Sequence, residues 1–102
     1  ALGQVGKPYR YATSSPTRGF DCSGLMKYAW GEADVDLASN SKRQIRAADE
    51  VYLPHAGDLA YYPGHIMMYL GVDDLVVHAA NRRTGVVIGE IRKSVEFGRP
   101  SA

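Results

Sequence analysis

Nucleophilic chemistry in this chain has one thiol and three imidazoles to draw on: Cys22, His55, His65 and His78. Cys22 sits in the stretch GFDCSGL, directly after Asp21. If Asp21 caps a helix, Cys22 occupies its first turn, where unpaired backbone N–H groups and the positive end of the dipole favour a negative charge. Such a start is expected to lower a thiol pKa, and the thiolate is the reactive form. The same N–H groups can hold the oxyanion of a tetrahedral intermediate. Cys22 also fits the apolar side of that helix as a small buried hydrophobe, so its position leaves both readings open. A base has to be found to separate them.

His55 lies in the loop LPHAGD and reads as a loop residue. His65 opens the apolar run HIMMYL, where alternation puts His65, Met67 and Tyr69 on one face and Ile66, Met68 and Leu70 on the other. With Leu70 paired to Leu75 across the connection GVDD, Met67 faces His78, and His65 is its diagonal neighbour on the same face. A slip of one residue would send His78 to the other side. A pair of this kind supplies a base and a group that fixes its tautomer, which is the wiring a Cys–His nucleophile needs.

The elements that must position these residues follow from pattern. Cys22, Leu25, Met26, Ala29 and Trp30 form one apolar stripe at helical spacing, with Asp21 as cap and Gly31 as stop. Residues 1–6 suit a short helix, and PYRYATSSPTRGF is irregular and turn-rich. Residues 39–50 read as a short polar helix with few core contacts. GDLAYY, HIMMYL, LVVHAA and GVVIGEI read as strands joined by Pro63-Gly64, GVDD and the NRRTG loop. Helices first and an antiparallel meander after them make the class α+β.

The chain has 102 residues, a formal net charge of +1 and 45% hydrophobic residues, as for one compact domain over 1–102. Scattered Lys and Arg give no support for nucleic-acid binding, and no apolar run is long enough for a membrane span. A lone cysteine excludes an internal disulfide and zinc sites needing two or four cysteines. The abrupt start at Ala1 suits a domain cut from a longer exported or phage-encoded protein. Asp73 and Asp74 fit turn chemistry, Arg82 and Arg83 a solvated loop, and Tyr61, Tyr62 and Tyr69 strand packing.

Taken in order, GKPYRY, GFDCSGL, SNSKRQ, AGDLAYY, GHIMMYLG and VVHAA resemble the NlpC/P60 family of cell-wall cysteine peptidases over nearly the whole chain. The resemblance implies a minimal papain-like fold, with N-terminal helices packed on a central antiparallel sheet. It implies Cys22 as nucleophile, His65 as base and His78 as the orienting third residue. Tyr9 matches the family tyrosine beside the cysteine, and Asp21 and Ser23 match positions lining substrate subsites. The implied reaction is hydrolysis of peptidoglycan stem peptides, most often between γ-linked D-glutamate and meso-diaminopimelate, by a monomer without metal or organic cofactor. The implied setting is secreted or in the bacterial cell envelope, or a phage tail or lysin.

The chain departs from the family pattern in the loop after Tyr9, before GDL, at Met67 and in a His65–His78 separation one residue longer than expected. Tyr11, Ala12 and Thr13 replace Trp-Gly-Gly, Ala56 replaces the proline before GDL, and Met67 replaces a glycine two residues after the histidine. Met67 keeps a second reading open, a wall-binding module of the same fold with weak or no turnover. A third is hydrolysis or transfer at another amide.

Overall fold

The computed structural model describes residues 2–7, 14–15, 19–81 and 83–100. After a 3-10 turn, Leu2–Gln4, two short strands, β1 (Ser14–Ser15) and β2 (Gly19–Phe20), pair with each other and lead into α1 (Cys22–Gly31). Then come α2 (Ser41–Ala47), β3 (Asp49–Glu50), β4 (Leu59–Tyr62), β5 (His65–Tyr69), β6 (Leu75–Asn81), β7 (Gly85–Glu90) and β8 (Glu96–Arg99). The last six strands form one antiparallel sheet in the order β3-β8-β4-β5-β6-β7. The class is α+β, as the pattern of helices followed by strands requires.

Asp21 caps α1 as the sequence predicts: its Oδ1 accepts the Gly24 N–H at 2.6 Å. Leu25 and Met26 are fully buried, and Cys22 and Trp30 pack against the same core. The 39–50 segment differs from expectation. Its helix is shorter, its end becomes β3, and it carries Ile45 and Gln44 into the interior at 9% and 1% exposure. A polar composition hid this, because a helix as short as Ser41–Ala47 needs only one inward apolar residue to dock.

Strand alternation divides the interior into two layers. Leu59, Ile66, Val77, Ala79 and Val86 face α1, while Ala60, Met67 and Val76 cluster with Tyr62, Tyr69 and Phe97 on the opposite face. Met68 pairs with Val77 and Tyr69 with Val76, the register read from the sequence. Asp73, at φ 50, and Gly71, at φ 87, supply the left-handed residues that tighten this turn. The β8 strand was not expected, since EFGR lacks alternating apolar residues. Gly98 explains its place: a Cβ there would come within 2.8 Å of Ala48 and Ile45, so glycine lets α2 lie against β8.

Candidate active site

The cap that starts α1 also decides what surrounds the cysteine. Asp21 engages the N–H of Gly24, the third helical residue, while the N–H groups of Cys22 and Ser23 interact with the Cys22 sulfur. The Ile66 N–H, on β5, joins them. Burial nevertheless pushes the thiol above its ordinary value, and the Asp21 charge adds to that push against these three donors. The expected lowering by the helix start is therefore corrected. Lost solvation at the core edge outweighs what the first-turn N–H groups return.

His65 and His78 meet directly. The Nε2 of His65 lies 2.7 Å from Nδ1 of His78, with the rings edge-on at 67° and centroids 5.0 Å apart. Burial, and then repulsion by His78, pull His65 down to about 4. Burial also lowers His78. In a neutral pair one nitrogen must donate and the other accept. When Nε2 of His65 donates, its Nδ1 is left bare, a lone pair available to a proton. The link from this pair to the sulfur runs through the start of β5: the Ile66 N–H addresses Cys22, and the residue before it is His65.

Ser23 is buried at 7% exposure, its Oγ 3.5 Å from both Asp21 Oδ1 and the Ser39 carbonyl. Tyr9 lies outside the described residues, as do the altered positions 11–13 and Arg82. His55 enters only the supporting structure, donating its backbone N–H to Asp58 at 2.7 Å. On the sheet face away from α1, a cavity of about 290 Å³ is lined by Tyr62, Met67, His78, Gly89, Arg92 and Lys93 among others. The Lys93 ammonium stands 4.7 Å from the centre of the Tyr62 ring, which in turn lies 5.6 Å from His65.

Supporting residues that the sequence reading passed over hold this arrangement. Gln44 donates from Nε2 to the carbonyls of Ser23 at 2.9 Å and Ala38 at 2.7 Å, bracing the helix start from α2. Its only sequence signal was its place in SNSKRQ. Asp58, at 2% exposure, receives both Nε and Nη2 of Arg99, at 2.9 and 2.8 Å, so the aspartate of GDL clamps β8 beside β4. Among the described residues no group of three His, Cys, Asp or Glu is placed to hold a metal ion, and no helix is long and apolar enough to cross a membrane.

The NlpC/P60 family model matches residues 6–96. The gamma-DL-glutamyl hydrolase of Bacillus subtilis is 29% identical over 105 residues, covering 92% of this chain and 25% of that protein. Murein DD-endopeptidase MepH of Escherichia coli is 34% identical over 82 residues, covering 69% of this chain and 30% of that protein. This chain thus spans only 25% and 30% of the length of these two relatives. The peptidoglycan hydrolase RipB from Mycobacterium tuberculosis has the same fold, with a TM-score of 0.84 at 27% identity over 96% of this chain and 59% of that one.

Proposed function

This chain belongs to the NlpC/P60 family of peptidoglycan hydrolases and endopeptidases, and on that premise we propose that it is a cysteine endopeptidase cutting amide bonds in peptidoglycan stem peptides. The observation that carries the reading is the 2.7 Å contact between His65 Nε2 and His78 Nδ1; with Nε2 of His65 as the donor, its bare Nδ1 is the base for the thiol. Because burial keeps the sulfur protonated, His65 works as a general base during attack rather than as half of a standing ion pair. The sulfur adds to the amide carbonyl while its proton passes to His65, and the N–H groups at the start of α1 hold the oxyanion. His65 then protonates the leaving amine and the C–N bond breaks, giving a thioester. Water, losing a proton to His65, cleaves the thioester to the carboxylate, and that proton returns to sulfur.

Asp21, Ser23 and Tyr9 are assigned to substrate subsites on their match to the family pattern. The bond between γ-linked D-glutamate and meso-diaminopimelate is the assigned target. In support, the Bacillus subtilis relative is named for a gamma-DL-glutamyl bond, although the Escherichia coli relative is named a DD-endopeptidase. The reaction needs no metal or organic cofactor, and the site of action is the bacterial envelope, its exterior, or a phage tail or lysin. One observation favours the wall-binding alternative: Met67, at 3% exposure, lines the same cavity as His78.

Digestion of purified peptidoglycan and a synthetic stem peptide, with products identified by mass spectrometry, tests the proposal. Cleavage by the wild type and none by Cys22→Ala is expected, and the products name the bond. Wall binding without cleavage would replace the endopeptidase with a binding module.

A further inference from the structure

A glycine within a strand weakens it, so Gly89, the penultimate residue of β7, calls for a reason. Backbone conformation is not the reason. Gly57, Gly64, Gly71 and Gly85 adopt positive φ, whereas Gly89 is ordinary strand paired with Val76. Space is the reason: a Cβ on Gly89 would lie 2.8 Å from His78 Nε2, 3.6 Å from Cδ2 and 3.7 Å from Cε1. His78 is directly opposite Val87, so Gly89 is its diagonal neighbour on the same face, and the imidazole leans across the β7 backbone there. Its other ring nitrogen is held by His65 at 2.7 Å.

We infer that Gly89 is a positioning residue for the histidine pair, its missing side chain forming the seat on which the His78 ring lies while His65 holds Nδ1. The inference rests on the endopeptidase reading for its effect on rate, and on geometry alone for its effect on the pair. A methyl group at 89 cannot be met by a small torsion of a free side-chain end. The ring is tethered at Nδ1, so a shift that clears its Nε2 from residue 89 also moves Nδ1 from its place against His65 and disturbs that bond. Room for that movement exists, because His78 and Gly89 both border the cavity of about 290 Å³. With the bond lost, the tautomer of His65 is no longer set.

The test uses Gly89→Ala, His78→Asn and the double variant, each read by imidazole ¹⁵N–¹H spectra and by stem-peptide hydrolysis. The wild type should show a hydrogen-bonded imidazole N–H shared between His65 and His78. Gly89→Ala should lose that signal and show kcat down about 10²-fold, with KM little changed, as for a misplaced catalytic group. In the His78→Asn background the ring is gone, so adding Gly89→Ala should change kcat by less than about twofold, the non-additivity expected of residues in contact. An unchanged signal and kcat in Gly89→Ala overturns the inference. So does equal damage from Gly89→Ala in both backgrounds, or a failure of the double variant to fold when His78→Asn alone folds. Should the wild type cleave nothing, the endopeptidase reading fails while the spectra still decide whether Gly89 seats the pair.

Discussion

His65 and His78 bond Nε2 to Nδ1 at 2.7 Å although the strand register, with Met68 opposite Val77, sets Met67 rather than His65 across from His78. The diagonal relation turns the two rings edge-on, so that a nitrogen of one meets a nitrogen of the other. With His65 Nε2 as the donor, such a contact leaves its Nδ1 bare to accept a proton, which is the role proposed for His65. His78→Ala is expected to lower kcat/KM for a stem peptide about 10²-fold, with His65→Ala lower still, since it removes the base itself. His78→Asn, which keeps a polar group at the position, should fall between His78→Ala and wild type. Equal rates for His78→Ala and wild type would mean that the pair does not serve the reaction.

The thiol offers a second check. Burial and the Asp21 charge hold Cys22 above the ordinary cysteine value, so alkylation by iodoacetamide should be slow at pH 6 and rise on the alkaline side. Asp21→Asn separates the two duties of residue 21. Asparagine caps a helix as well as aspartate, but it carries no charge beside the sulfur. The alkylation profile should move to lower pH with little change in thermal stability. A profile that stays in place would show that burial alone sets the thiol.

How far the sequence reached can be judged from particular residues. The α1 cap, the apolar stripe and the β5–β6 register were legible because each depends on near neighbours in the chain: Asp21 on Gly24, and Leu70 on Leu75 across a short turn. From that register the His65–His78 proximity followed. Whether the helix start or burial governs the thiol is open in the sequence and was not legible there, since that depends on how closely α1 and the start of β5 pack. Nor was β8, whose EFGR carries no alternation and whose fit depends on Gly98 meeting α2. Asp58 and Arg99 lie far apart in the chain, and Gly89 meets His78 through a β6–β7 register that runs across the NRRTG loop and is irregular between Ala79 and Asn81, where composition and spacing carry no signal.

The low proton affinity of His65 sets a pH signature. With its pKa near 4, the imidazole stays neutral and able to accept a proton well below pH 6.5. The acid limb of kcat/KM in short assays should therefore fall near pH 4. Stability should move differently. The folded pKa lies below the unfolded value, so between about pH 6.5 and 4 the unfolded chain binds more protons at this residue, and stability drops as pH falls through that window. Comparing Tm against pH for wild type and His65→Asn should show a shallower slope in the variant. An acid limb near pH 6.5 would mean that His65 is solvated.

The Asp58–Arg99 clamp predicts a stability difference with a pH dependence of its own. Burial pushes the Asp58 carboxyl up, but the two Arg99 hydrogen bonds and the His55 N–H outweigh it and leave the group below its ordinary value. Arg99→Ala strands that carboxylate beneath β8 with only the backbone donor. An orphaned buried acceptor costs about 1–3 kcal/mol, and the half-exposed site of Arg99, which lets water follow, puts the expected loss toward the lower end. Asp58→Asn added to Arg99→Ala should recover part of the loss, because the amide keeps an oxygen for the His55 N–H without a buried charge. A group with a depressed folded pKa stabilises above its unfolded value and loses that contribution as pH falls through the folded one. The denaturation midpoints of wild type and Arg99→Ala should therefore differ at pH 7 and converge below about pH 4, whereas coincident midpoints at pH 7 would show that β8 holds its place without the clamp.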